Sequence, residues 1–220
     1  MTDVLINYLS STGALSVEEI DFSIQFFKPI RLKKGDFFIR EDETCRYIAF
    51  IASGGVKAYA TDKEGNENIT CFKFENEFAS SFQEFVAQEK SRRSIRAIEP
   101  CVIYRIGYPD YQYLLGQVTN WNGLIKSVLE QEYNQKERYL LNYNNKSAVD
   151  KYLQVLSAEP DLLQRIATQD LASYLGITQR SLTRAKGQIQ RSKHYRTNVL
   201  TQFGLAIYIR TKNDATSNCS

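Results

Sequence analysis

Histidine is nearly missing from this 220-residue chain: the only one is His194. A histidine-ligated metal or haem in the N-terminal part is therefore excluded by composition, and so is Ser–His–Asp chemistry there. Cysteine is scarce as well. Cys45, Cys71, Cys101 and Cys219 stand far apart and no two form a C-x-x-C pair. That argues against a zinc ribbon or a closely spaced iron–sulfur ligand set, and reduced, buried thiols are the expectation. No apolar run is long enough to span a bilayer, and "MTDVLINYLSSTG" lacks the basic-then-apolar layout of a secretory signal. The expectation is a cytoplasmic protein with no membrane partner. "SGG" and "GQI" are too short for phosphate loops, and no catalytic constellation emerges, so an enzyme is not expected and no cofactor is assigned.

What is present is an ordinary globular composition, 43% hydrophobic and 24% charged, enough for one large core or two modest ones. The net charge of +3 hides an asymmetry. Residues 1–150 hold 18 Lys/Arg against 21 Asp/Glu, whereas residues 165–210 hold eight bases, from Arg165 to Arg210, against Asp170 alone. A slightly acidic body with a basic end is a footprint of polyanion binding, and a solvated basic face is the competing reading.

Along the chain, Val4, Leu5, Tyr8 and Leu9 have helical spacing, and "SVEEIDFSIQFF" opens with Ser16 as an N-cap and acids in its first turn. From Lys28 the pattern turns to short β-type runs: "KPIRL", a "KKGD" turn, "YIAFIA", an "SGG" turn, "VKAYAT", a "DKEGNE" hairpin loop and "NITCFKF". "RSIRAIEPCVIYRIG" adds two strands around Glu99-Pro100. Strands at this spacing predict an antiparallel roll or barrel. "FASSFQEFVAQEKSR" reads as a short helix and loop interrupting the sheet, a usual place for a small-molecule site.

A long helix is predicted over roughly Tyr108 to Asn142, with a rough three-four seam through Trp121, Ile125, Val128, Glu132, Gln135 and Tyr139. Its length exceeds what a small roll covers, which favours packing on a second copy of the chain; the other reading lays it on its own roll. "SAVDKYLQVLSAEPDLLQRIATQDLASYLG" predicts two further helices separated at Pro160, and "TKNDATSNCS" a polar tail.

The most informative stretch is "TQDLASYLGITQRSLTRAKGQIQR", Thr168 to Arg191. Leu171, Ala172 and Leu175 make the apolar side of a short helix, and small Ala172 permits a close crossing. Gly176 ends that helix in a left-handed conformation. Ile177 plugs the corner and Thr178 caps the next helix, where Leu182, Ala185 and Ile189 point inward. Gln179, Arg180, Ser181 and Arg184 point outward near its N-terminus, and Lys186 and Arg191 follow. This is the layout of a helix-turn-helix. Its outward residues have the chemistry to read DNA: Arg suits guanine O6/N7, Gln suits adenine N6/N7, and the later bases suit phosphate. The bland alternative is that any two packed helices need a turn with glycine.

With these motifs in view, the chain from about Phe27 to Arg191 resembles the CRP/FNR superfamily of bacterial transcription regulators, of the kind found in Bacteroidetes. "LKKGDFFIREDE", "YIAFIASGGVKAYATDKEGNENITCFKFENEF", "RRSIRAIEPCVIYRI" and "IATQDLASYLGITQRSLTRAKGQI" carry the resemblance in order. It implies an α+β protein with an N-terminal double-stranded β-roll of the cyclic-nucleotide-binding kind, a long dimerisation helix and a C-terminal winged helix-turn-helix. The corresponding parts are 1–107, 108–145 and 146–220. It also implies a homodimer on double-stranded DNA, with two recognition helices about 34 Å apart. RNA polymerase and a small-molecule effector are the further partners. Thr178, Gln179, Arg180, Ser181, Arg184, Lys186 and Arg191 map onto DNA contacts.

The resemblance also places an effector pocket at Ser80, Ser81, Phe82, Arg93 and Ser94. Cyclic-nucleotide-binding members have a Gly-Glu pair for the ribose and an Arg-Ser pair for the cyclic phosphate. Here Ser80-Ser81 stands in the first place and Arg93-Ser94 is kept in the second. Without the carboxylate the ribose 2′-OH loses its acceptor, so cyclic AMP is not the expected effector. Arg93 faces either an anionic effector or an acid such as Glu84 or Glu89. Phe82, Phe85 and Tyr104 are large enough to close the pocket. A glutamate common in the family's recognition helix is Arg180 here, which shifts base preference from cytosine N4 towards guanine. The family's N-terminal cysteine cluster is absent. In "NVLTQF" and "LAIYIR" the wing has strand-like runs without a compact glycine turn. A functional alternative is a small-molecule-binding module that acts through a protein partner and never reads DNA.

Overall fold

The structure, a computed structural model, describes residues 3–191. The wing runs, Lys193, His194, Arg196 and the polar tail lie outside the described residues.

Two short helices open the fold, α1 (Asp3–Ser11) and α2 (Val17–Ile24). Ser16 starts α2 with a complete capping box: its hydroxyl accepts from the Glu19 N–H, and the Glu19 carboxylate accepts from the Ser16 N–H. Eight strands follow: β1 (Lys28–Leu32), β2 (Phe37–Ile39), β3 (Tyr47–Ser53), β4 (Val56–Thr61), β5 (Glu67–Lys73), β6 (Phe78–Ala79), β7 (Ser94–Ala97) and β8 (Cys101–Gly107). They form two antiparallel four-stranded sheets, in the orders β1-β8-β3-β6 and β2-β7-β4-β5. This is the predicted roll. The turn at "SGG" forms as expected, and only glycine fits it: Gly54 has φ +90°, and a Cβ there would lie 2.4 Å from the Pro100 carbonyl oxygen.

β3 and β4 are buried almost along their whole length rather than on alternate residues. β3 has the opposite sheet on one side and α1 on the other, where Leu5, Leu9, Tyr8, Phe50 and Phe78 pack together. β5 carries a bulge: Ala58 pairs with Cys71 and Tyr59 with Ile69, leaving Thr70 over, its hydroxyl donating to the Ala58 carbonyl at 3.1 Å. Between β6 and β7 the expected short helix, α3 (Phe82–Ala87), interrupts the sheet.

The single long helix predicted from Tyr108 is two. α4 (Tyr108–Gln117) ends where Val118 turns extended, and α5 (Trp121–Tyr143) begins three residues later. The corner is held from outside. Glu19 of α2 accepts from the Asn120 backbone N–H at 3.1 Å and from its side-chain amide at 3.1 Å. Leu114, Val118, Trp121 and Leu124 are all buried around it. After α5 the expected pair of helices is three: α6 (Ala148–Ala158), the single turn α7 (Leu162–Arg165) and α8 (Thr168–Tyr174). Pro160 breaks the chain as predicted. A second break at extended Ile166 and Ala167 was not foreseen. α9 (Gln179–Arg191) completes the described chain.

Two apolar cores result. One lies inside the roll and under α1, α2, α4 and the start of α5. The other joins Tyr59, Ile69 and Phe72 of the roll to Tyr143, Val155, Leu162, Leu171, Ala172, Leu175 and Leu182 of the helices.

Candidate DNA interface and effector cavity

The α8–α9 pair forms as its sequence requires. Leu171, Ala172 and Leu175 are buried on α8, and Leu182, Ala185 and Ile189 on α9. Gly176 takes φ +61°, and the Ile177 N–H closes the corner onto the Ala172 carbonyl at 3.0 Å. The Thr178 hydroxyl accepts from the Ser181 N–H at 3.1 Å and caps α9. Ser181 is half-buried, and its hydroxyl lies 2.9 Å from that of Thr178, so it belongs to the cap. Thr178, Gln179, Arg180, Arg184 and Arg191 are exposed. At 100° per residue, Arg180, Arg184 and Arg191 stand on one stripe, opposite Leu182, Ala185 and Ile189. Lys186 is set apart from that stripe. It is half-buried, its Nζ 5.5 Å above the Tyr152 ring, where it fastens α9 to α6.

Two charged residues of the basic segment face the protein's own roll. Asp170, the one acid counted there, meets Lys57 of β4 at 2.8 Å, and Lys57 also meets Glu67 of β5 at 2.6 Å. Arg165 grips Glu75 at 2.8 and 2.9 Å, pairs with Glu99, and lies 4.2 Å from the Phe74 ring centroid. Glu75 in turn accepts from the Gly54 N–H at 2.7 Å. The Ser173 hydroxyl donates to the Glu67 carbonyl at 2.6 Å and accepts from the Ile69 N–H at 3.0 Å. α8 is thereby stitched to the edge of the β5 strand, and Arg165, one of the eight bases counted, is engaged with the roll.

This grip sets an acid limit. Burial works against the Glu75 charge, but hydrogen bonds from Arg165 and from backbone N–H groups outweigh it and hold the carboxyl below its ordinary value. A lowered carboxyl pKa contributes stability that is present above the unfolded-state value, near pH 4.5, and lost as pH falls through the folded value. Arg165→Met is expected to cost about 1–2 kcal/mol at neutral pH, as for a partly hydrated ion-pair network. It should also flatten the acid limb of stability, as urea unfolding from pH 7 to pH 3 will register.

The other feature is a cavity of about 590 Å³ between the roll and α5. Thr70 to Phe74 all line it, because the cavity reaches both faces of β5: Cys71 packs against the roll core and Phe72 in the second core. Ser80, Phe82 and Arg93 line it too, as expected of an effector pocket. Ser81 and Ser94 do not. Ser81 is buried behind the wall, accepting from Arg93 Nε at 3.0 Å and from the Ser91 hydroxyl at 2.8 Å. The Ser94 hydroxyl accepts from the Glu41 N–H at 3.0 Å. Arg93 Nη2 donates to the Ser80 carbonyl at 3.2 Å. The acid pairing open to Arg93 does not form: Glu84 meets Arg92 instead, at 3.5 Å. Phe85 packs on Tyr108 and Tyr111 and Tyr104 is buried in the roll core, so neither closes the cavity.

On the α5 side the residues that weaken the apolar seam have a use. Glu132 and Gln135 accept from Lys73 of β5 at 2.5 and 2.7 Å, and Glu77 accepts at 3.2 Å. This knot ties α5 to its own roll, the second of the two packings considered. α5 also leaves Leu129, Tyr133, Leu140 and Leu141 exposed, Tyr133 at 67% and Leu141 at 71%.

One chain thus joins a sheet roll with a lined cavity, through a connecting helix, to an exposed basic helix. Residues 29–117 match the cyclic nucleotide-binding domain family. The fumarate and nitrate reduction regulatory protein of Vibrio cholerae serotype O1 is 23% identical over 188 residues, covering 80% of this chain and 74% of that one. A solved structure from Eubacterium rectale, described as a putative transcriptional regulator of the crp/fnr family, superposes with a TM-score of 0.67 at 16% identity. It covers 84% of this chain and 88% of its own. The c-di-GMP-responsive global regulator CLP of Xanthomonas campestris gives a TM-score of 0.64 at 18% identity, over 80% and 92% of the two chains. The chain is similar to CRP/FNR-type transcription regulators, and these relatives support the role of a DNA-binding regulator. Among the described residues no helix is long and apolar enough to cross a membrane.

Proposed function

We propose that the protein is a cytoplasmic homodimer that binds a two-fold-symmetric DNA site through α9, with no catalytic role. The carrying observation is the stripe of Arg180, Arg184 and Arg191 exposed on a capped helix, opposite buried Leu182, Ala185 and Ile189. Arg180, Arg184 and Gln179 contact bases, and Thr178 and Arg191 contact phosphates. The division into a roll (1–107), a dimerisation segment (108–145) and a DNA-binding part (146–220) follows. α5 supplies the dimer seam: exposed Leu129, Tyr133, Lys136 and Leu140 recur at four-three-four spacing, as in a coiled coil. The cavity beside α5 supplies effector control, and because Ser80 and Ser81 offer no carboxylate to a ribose, the effector is not cyclic AMP. RNA polymerase is the further partner at promoters.

Selection from a random duplex pool, at two salt concentrations, tests this reading. A two-fold-symmetric motif with half-sites about one helical turn apart is expected. Weak binding that salt abolishes, with no motif, would sink it in favour of a module that acts through a protein partner.

A further inference from the structure

We infer that the roll end of the cavity binds a compact, apolar monocarboxylate, a ligand class distinct from nucleotides. This rests on the effector reading of the same cavity and names its ligand. The walls there are Val56, Phe78, Ile95, Leu124, Ile125 and Val128. The whole cavity, of which the roll end is a part, is about 590 Å³, within the range of small-molecule sites, roughly 300–1,000 Å³. Lys73, Glu132 and Gln135, bonded to one another, make a polar band in its lining, and the apolar walls favour an apolar guest at the roll end.

The polar inventory of this chamber is one-sided. Trp121, the chain's only tryptophan, lines the cavity and is 2% exposed. Its indole Nε1–H is the one buried side-chain nitrogen or oxygen among the described residues without a hydrogen-bond partner. An unmet buried donor is costly, about 1–3 kcal/mol, but this one is covered on all sides, so a guest reaches it only if the Trp121 ring shifts. Arg93 spends Nε on Ser81 and Nη2 on the Ser80 carbonyl. Those two bonds fix the guanidinium plane and leave Nη1 without a hydrogen bond among the described residues. Glu77, Glu132 and Gln135 are turned to Lys73. The Thr70 and Ser80 hydroxyls give their protons to the carbonyls of Ala58 and Tyr47 and keep only their oxygens for a guest. Arg93 Nη1 and the apolar walls therefore favour a guest with negative charge and an apolar body. A carboxylate on a short hydrocarbon meets both, whereas a nucleotide sets its polar ribose and base edges against those apolar walls.

The full chain, without DNA, is to be titrated with sodium octanoate and 4-phenylbutyrate, with 1-octanol and cyclic AMP as controls. Calorimetry gives stoichiometry and affinity, and the single indole reports by fluorescence. The expected result is saturable binding of a carboxylate, one per protomer, with a shift in Trp121 emission. Affinity should fall at least tenfold in Arg93→Gln, in Val128→Phe, which fills the chamber without touching Arg93, and for 1-octanol. The inference is overturned by no saturable binding of either carboxylate, by equal binding of the alcohol, or by displacement with cyclic AMP. It is equally overturned if both variants keep their thermal unfolding midpoint and bind as the parent does. DNA selection reads α9 and this titration reads the roll, so either reading can fail while the other stands.

Discussion

Arg184→Ala is expected to weaken binding to the selected DNA site by about 2–6 kcal/mol per dimer, roughly 30-fold to 10⁴-fold, from a loss of about 1–3 kcal/mol at each of two half-sites. Arg180→Ala should fall in the same range. Both side chains are exposed on the face of α9 opposite Leu182, Ala185 and Ile189, so neither substitution removes core packing. The unfolding midpoint should therefore stay within about 0.5 kcal/mol of the parent, as for surface changes away from buried features. Arg191→Ala is the internal contrast. Thirteen residues of α9 place Arg191 about two turns beyond Arg184 and three beyond Arg180, where a phosphate is the natural partner. It should weaken all sequences alike and lower the salt slope by about one per lost contact. Titrations on the selected site and on random duplex, at three salt concentrations, separate the two kinds of contact. Equal losses on both DNAs for Arg180→Ala and Arg184→Ala would show that the stripe attracts phosphate without reading bases.

The second large effect lies away from DNA. Lys57 is 5% exposed and meets both Glu67 and Asp170. Lys57→Met keeps most of the apolar stem but strands Asp170, whose side chain is only 17% exposed. Removing one partner of a fully buried pair costs about 3–5 kcal/mol; residual hydration of Asp170 lowers this to about 2–3 kcal/mol. For a chain of this length that is a fall of roughly 4–12 °C in Tm. Asp170→Asn should cost less, because Lys57 keeps Glu67. The double variant Lys57→Met/Asp170→Leu should recover most of the loss, since an apolar pair is no worse than an ion pair at a buried site. Thermal unfolding of the four proteins measures the coupling. Additivity within about 0.5 kcal/mol would mean the pair holds nothing together.

How far the chain could be read from its letters depended on the reach of each interaction. The "SGG" turn, the Ser16 cap and the α8–α9 corner were legible because glycine, a hydroxyl cap and apolar spacing act within a few residues. The break at Val118–Asn120 was not. Its residues permit a helix, and the corner is fixed by Glu19, about a hundred positions earlier. The later break at Ile166 is likewise unmarked by proline or glycine. The basic segment was legible as a charge count, but the use of each charge was not. Arg165 serves Glu75 and Glu99, Lys186 serves Tyr152, and Asp170 is neutralised by a lysine 113 positions away. Arg93 was found from the family pattern, but its serine partners and the exclusion of Ser81 and Ser94 from the cavity needed coordinates. Trp121 gave no sequence signal beyond a place on an apolar seam.

The second core has a consequence for how such proteins can be recombined. Leu171, Leu175 and Leu182 share their packing with Tyr59, Ile69 and Phe72 of the roll. A cut through the backbone between the two halves would therefore divide one interior and leave each piece with a raw surface. A chimera that grafts a relative's reading helices here must carry compatible partners for those three roll residues. The unit of inheritance is the surface contact, not the segment between two linkers.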